Sequence, residues 1–206
     1  MIRFREVLEE RTRYITVVLE ELYQEQNASA VLRTCDCFGI QDVYVIEGRN
    51  KFRENEHIAM GASKWLSIHK FQTDESRQNA CIEELKRMKY RIVATVPDAS
   101  AVSLPEFDLN KGPVALMFGT ELKGLSQELV SKADEFLYIP MRGFTESFNI
   151  SVSAGIILHE LSHRLHSSKI FWRLTDNEKD DLTLKWLRES VKSSELLESA
   201  FYERSR

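Results

Sequence analysis

Two short apolar runs, Val114–Phe118 and residues 136–139, each break into a loop of small and polar residues. This repeated device restricts the fold more than any other stretch. The first loop reads Gly119-Thr120-Glu121-Leu122-Lys123-Gly124. The second reads Pro140-Met141-Arg142-Gly143-Phe144-Thr145-Glu146-Ser147, and an apolar helical stretch follows it. Both runs read as strands. In open α/β sheets, ligands bind outside the carboxyl ends of the strands, where loops expose N–H and C=O groups. Two such loops side by side can enclose a small, partly polar ligand mainly with main chain.

The rest of the chain keeps the same alternation. Residues 15–19, ITVVL, are β-branched and read as a buried strand. Residues 27–39, NASAVLRTCDCFG, place Ala30, Val31, Thr34, Cys37 and Phe38 at helical spacing, with Asn27 or Ser29 to cap the start and Gly39 to end it. Residues 43–46 follow as a second strand, which makes a βαβ unit and hence a parallel sheet. Residues 66–71 and 91–96 read as strands. Between them, residues 75–89 read as an amphipathic helix with Ala80, Ile82, Leu85 and Met88 inward.

Both ends read as helical extensions, over residues 1–14 and 168–206, flanking an α/β domain over 15–167. In the first, Phe4, Val7 and Leu8 form an apolar stripe. Arg3, Arg5, Arg11 and Arg13 suit either a solvated face of Glu–Arg pairs or contacts to phosphate. The second holds eight Lys or Arg against eight Asp or Glu and is expected to pack on the domain or on a partner subunit.

Composition removes several classes. No apolar run approaches the ~20 residues of a membrane helix. The charged start MIRFREVLEERTRY lacks the apolar core of a signal peptide, so the cytoplasm is the expected compartment. Cys35, Cys37 and Cys81 do not make a disulfide framework, and a C-x-C pair without neighbouring ligands is a poor zinc site. Gly119 and Gly124 have P-loop spacing, but Leu125 and Ser126 stand where Lys and Ser or Thr are required.

In order along the chain, NASAVLRTCDCFG, FGTELKGLS and IPMRGFTESFNISVSAG resemble the three motifs of the SpoU/TrmH branch of SPOUT methyltransferases. These are RNA ribose 2′-O-methyltransferases that use S-adenosylmethionine. The resemblance spans residues 15–161. It implies a parallel sheet flanked by helices on both faces, with a C-terminal trefoil knot. It also implies a homodimer in which the last core helix and the first motif helix of two chains meet, with Ser151, Ser153 and Gly155 allowing close approach. Thr95, Gly119, Thr120, Glu121, Ile139, Met141 and Phe148 fall on the cofactor-binding positions, Phe148 where the family more often has Leu. Arg33, Asn27, Glu121, Ser147 and Asn149 fall on the catalytic ones.

Bland readings stand beside these. Arg33 could simply pair with Asp36, Ser147 could cap the following helix, and Asn149 could be a first-turn residue. His159-Glu160-Leu161-Ser162-His163 fits the H-E-x-x-H pattern of zinc proteases, with Glu178 as a distal ligand. A longer motif already accounts for that helix, so the histidines read as favourable charge near its C-terminus, and no metal is expected.

Within the family, the short N-terminus, residues 10–36 and the C-terminal helices look most like the TrmH group, which implies tRNA as substrate and guanosine 18 of the D loop as target. A sibling acting on ribosomal RNA is the alternative; an N-terminal RNA-binding domain would favour it, and none is read here. An inactive RNA-binding relative is opposed by Arg33, Glu121, Ser147 and Asn149 occurring together. The net charge of −4 requires that basic residues for RNA be gathered on one face.

Overall fold

The computed structural model describes residues 2–21, 24–48, 52–53, 55–72, 77–98, 100–120 and 123–204. In chain order the elements are α1 (Ile2–Glu9), β1 (Ile15–Glu20), α2 (Glu25–Cys37), β2 (Asp42–Ile46), α3 (Glu56–Ala59), β3 (Ser67–Phe71), α4 (Arg77–Arg87), β4 (Arg91–Thr95), β5 (Val102–Ser103), β6 (Val114–Phe118), α5 (Gln127–Lys132), β7 (Glu135–Tyr138), α6 (Ile150–His166), α7 (Asp176–Ser190) and α8 (Ser194–Arg204). The strands form one seven-stranded sheet in the order β3-β2-β1-β6-β4-β7-β5, with every pairing parallel.

Strand alternation divides the core in two. Ile15, Val17, Leu19, Val43, Val45, Val93, Leu116 and Phe118 face α2 and α6, whose Val31, Leu32, Cys35, Ala154, Ile157, Leu158 and Leu161 complete that layer. Val18, Tyr44, Ile46, Ile92, Ala94, Ala115 and Met117 face α4 and the segment around α5, through Cys81, Ile82, Leu85, Leu125 and Leu129. The central strands β1, β2 and β6 are buried at every position, which accounts for their continuous apolar runs.

Several expectations need correction. The inner face of α4 is Gln78, Cys81, Ile82 and Leu85; Ala80 is exposed, and Met88, beyond the helix end, is 43% exposed. The start of α2 is set by Gln24, which makes no side-chain cap, while Asn27 and Ser29 lie inside the helix. Ser29 instead accepts from the backbone N–H of Asn55 at 2.7 Å. Gly39 does end the helix, at φ +72°, and a Cβ there would meet the Glu10 carbonyl.

The N-terminal helix stops at Glu9, short of the end of the helical extension read over residues 1–14. Arg11 is on no solvated face, and Arg13 is only partly exposed. Arg11 is 2% exposed and bonded to Asp36 and the Ile40 carbonyl. Arg13 reaches Asp42 at 2.8 Å and Glu178 at 2.7 Å. Burial lowers the pKa of Arg13, but Asp42 and Glu178 outweigh it and hold the guanidinium above its ordinary value.

The two ends of the chain pack together. Leu8 of α1, Leu174, Leu182 and Trp186 form a third core, edged by Phe4, Val7 and Trp65. The Thr12 hydroxyl donates to the Trp172 carbonyl at 2.7 Å, and Lys179 bonds to Glu9 at 2.8 Å. A Thr175–Glu178 capping box starts α7. Among the described residues no helix is long and apolar enough to cross a membrane.

Candidate active site

The loops after β4, β6 and β7 converge at the carboxyl end of the sheet and enclose a cavity of about 350 Å³, within the range of small-molecule sites. Strand order explains the convergence. β6 lies next to β4, and β4 lies next to β7, so three successive strand ends open onto one crevice. The N-terminal half of α6 closes the far side through Ile150, Ser153 and Ile157.

The first loop is built on two hydrogen bonds between Thr120 and Gly124, each 2.9 Å. The Thr120 hydroxyl also accepts from the Lys123 N–H at 3.1 Å. At the loop's end, the Ser126 N–H donates to the buried Glu20 carboxylate at 2.7 Å, so the end of β1 anchors the loop. Gly119 is required by packing rather than by a left-handed backbone. A Cβ there would stand 2.1 Å from the Gly124 carbonyl carbon and 2.2 Å from the Leu125 nitrogen. The chain therefore folds back against its own strand end, and backbone forms the cavity wall.

Of the residues expected to hold a cofactor, Thr95, Gly119, Thr120, Ile139, Met141 and Phe148 all line this cavity. Glu121 lies outside the described residues. The Thr95 hydroxyl donates to the Met117 carbonyl at 2.7 Å, so this side chain ties β4 to β6 at the cavity. Phe118, Leu137, Ile139 and Ile157 supply apolar walls, with Ser147 and Lys123 as polar groups. Main-chain groups, apolar walls and few charges suit a ligand with a heterocycle and a sugar, and this lining fits S-adenosylmethionine.

Of the residues expected to be catalytic, Ser147 lines the cavity, and Asn149 and Asn27 meet beside it. Asn149 caps α6: its side-chain oxygen accepts from the Ser151 N–H at 2.9 Å and the Ser151 hydroxyl at 2.6 Å. Its amide nitrogen donates to the Asn27 oxygen at 3.2 Å, and Asn27 donates to Gln24 at 3.0 Å. The cap is thus Asn149 and not Ser147, and it also bridges α2 to α6. Arg33 is exposed on α2, does not line its own chain's cavity, and makes no hydrogen bond or ion pair with the described residues. The pairing with Asp36 that a purely structural role would give does not form.

Sequence reasoning missed Lys123, Val96, Pro97 and the buried Glu20. Glu20 was detectable in principle, as an acid closing a fully apolar strand. Ser153, read as a small residue for helix approach, lines the cavity. His159 and His163 are both exposed, and the His159 ring meets Phe38 edge-on at 5.8 Å. Glu178 is committed to Thr175 and Arg13, and among the described residues no three His, Cys, Asp or Glu side chains converge as a metal site would require.

The model of the SpoU rRNA Methylase family matches residues 14–159. The chain is 41% identical over 197 residues to the tRNA (guanosine(18)-2′-O)-methyltransferase of Borreliella burgdorferi, covering 96% of this chain and 88% of that protein. It is 35% identical to the protein of the same name from Aquifex aeolicus, over 92% of this chain and 89% of the relative. The crystal structure of an A. aeolicus TrmH/SpoU tRNA modifying enzyme superposes with a TM-score of 0.79 at 34% identity, covering 93% of this chain and 96% of the other. A crevice walled by three strand-end loops, the order of the motifs that build it and the family match over residues 14–159 lead to one conclusion: the chain belongs to the SpoU methylase family and has its α/β fold with the SPOUT trefoil knot.

Proposed function

We propose that this protein is an S-adenosylmethionine-dependent tRNA ribose 2′-O-methyltransferase acting on guanosine 18. The observation that carries the reading is the convergence of six expected cofactor positions on one cavity, with the Asn27–Asn149 bridge at its edge. The names of relatives similar over most of their own length support the choice of tRNA and of the nucleotide.

S-adenosylmethionine supplies the sulfonium methyl group. The chain's own work is mainly alignment of the ribose oxygen, methyl and sulfur along one line. Gly119, Thr120, Ile139, Met141 and Phe148 hold the donor through backbone and apolar contact. Asn149, fixed by its cap and by Asn27, positions α2 against this wall. Ser147 hydrogen-bonds the nucleotide.

Arg33 meets the ribose hydroxyl and the adjoining phosphate. A guanidinium, with a pKa above ~12, is a poor base, so Arg33 stabilises the incipient alkoxide while substrate phosphate or solvent takes the proton. Its exposure, outside its own chain's cavity, supports a homodimer in which α2 and α6 of two protomers meet and Arg33 serves a site completed by the second copy. Val152, 46% exposed on α6, is available to that contact.

The test is incubation with labelled S-adenosylmethionine and transcribed tRNA and ribosomal RNA, followed by mapping of the methylated ribose. Label on guanosine 18 of tRNA is expected; label confined to ribosomal RNA, or none, refutes the reading. Arg33→Ala should abolish transfer while leaving S-adenosylmethionine affinity nearly unchanged.

A further inference from the structure

Asp36 lies three residues after Arg33 on α2, a spacing at which opposite charges on a helix attract. No ion pair joins the two, and Asp36 is bonded to Arg11 instead. Nη2 of Arg11 donates to Oδ1 of Asp36, and Nη1 donates to the Ile40 carbonyl at 3.1 Å. The guanidinium lies over the Trp186 ring, 5.5 Å from its centroid, and Nε has no partner among the described residues. The Arg11 side chain is 2% exposed and that of Asp36 is 28% exposed.

A buried ion pair of this kind contributes little net stability, because desolvating both charges offsets most of their attraction. Its evident consequence lies one turn away. Arg33 is exposed and unengaged among the described residues.

We infer that Arg11 is a positioning residue for methyl transfer: by holding Asp36 it keeps that carboxylate from capturing Arg33, whose guanidinium stays free for the substrate. The inference rests on the role of Arg33 given above and adds to it. The latch begins in the segment between α1 and β1 and is roofed by Trp186 of α7, so the packing of both chain ends bears on the charge presented by α2.

The experiment is a suppressor series in the full-length protein, with kcat and KM measured for tRNA and S-adenosylmethionine. Arg11→Met frees Asp36, and kcat should fall about two- to threefold with KM for S-adenosylmethionine unchanged, as partial capture of a guanidinium by a helical neighbour predicts. Adding Asp36→Asn to Arg11→Met should return kcat to the value of Asp36→Asn alone, even though the latch is now absent altogether. A structural role for Arg11 makes the opposite forecast, since the second change cannot refill the space that Arg11 occupied. A deficit that persists in the double variant, or an Arg11→Met enzyme of undiminished kcat, overturns the inference.

A second pair of variants decides the matter should Arg11→Met fail to fold. Cys37 is exposed on α2, four residues after Arg33. Cys37→Asp places an unlatched carboxylate there and should lower kcat by a similar factor relative to Cys37→Asn; equal turnover of the two overturns the inference. Arg33→Ala run alongside separates the two layers. Near-normal turnover of Arg33→Ala removes the assignment of Arg33 and the latch with it. An inactive Arg33→Ala with no rescue by Asp36→Asn removes the latch alone.

Discussion

Replacing Gly119 by alanine adds one methyl group at a crowded point of the cavity wall. Its carbon would stand 2.1 Å from the carbonyl carbon of Gly124 and 2.2 Å from both the Gly124 oxygen and the Leu125 nitrogen. These are backbone atoms and cannot rotate aside. The loop must move as a unit, against the paired 2.9 Å hydrogen bonds between Thr120 and Gly124 and the 2.7 Å bond from Ser126 to Glu20. Overpacking of a well-filled site costs about 1–3 kcal/mol, and loss of one or two backbone hydrogen bonds adds about 0.5–1.5 kcal/mol each. Where the loop yields locally, a cost of at least about 2 kcal/mol appears as a ~30-fold weaker affinity for S-adenosylmethionine. Calorimetric titration of Gly119→Ala against Gly143→Ala makes the comparison, since a Cβ at Gly143 meets nothing within 4 Å. If Gly119→Ala binds S-adenosylmethionine as tightly as the parent, the argument that loop backbone forms the donor's wall is wrong.

Asn149 carries a helix cap and a bridge, and the two can be separated. Asn149→Ala should cost about 1 kcal/mol and lower Tm by roughly 2–4 °C, with turnover reduced as well. Asn149→Ser keeps a capping oxygen but not the donor to Asn27, so Tm should recover and turnover should not; recovery of both would make the residue a cap only. For Glu178, burial raises the pKa, but the Thr175 N–H and Arg13 outweigh it and hold the carboxyl below its ordinary value. With the folded value below the unfolded one, its stabilising contribution is present above the ordinary glutamate range and is lost as pH falls through the folded value. Thermal melts between pH ~6 and ~3 should show this loss in the parent and a flatter profile in Glu178→Gln; identical profiles would remove the Arg13–Glu178 contact from the anchoring of α7.

Much of the architecture was legible because it is local. Strands buried on both faces must be apolar throughout, and residues 15–19, 43–46 and Val114–Phe118 announce themselves in that way. The loops after β6 and β7 were legible for the same reason, as abrupt changes from apolar to small and polar residues. The order of the strands was not, since nothing in residue spacing says that β6 inserts between β1 and β4.

Arg3 is exposed and paired with Glu6 as an amphipathic pattern leads one to expect, but Arg11 and Arg13 were misread because such a charge defaults to solvent. The partners that bury them, Asp36 for Arg11 and Glu178 for Arg13, are 25 and 165 residues away. The inner face of α4 was misplaced because Cys81 and Gln78 were not counted as core. At the site, the motif resemblance located the residues that meet at the cavity, but not the division of labour between Ser147 and Asn149. A hydroxyl and an amide are both good caps, and only the start of α6 at Ile150 decides between them.

The joined termini carry a kinetic consequence. To untie a threaded polypeptide, its tail must retrace the passage by which it entered. Here the tail is held by Trp186 against Phe4 and Leu8 of the opposite end of the chain. Release of that contact should therefore come before unthreading, and a barrier of this kind would set the lifetime of the native state. Denaturation and renaturation curves should fail to overlay on laboratory timescales, and the gap should narrow when α7 is loosened.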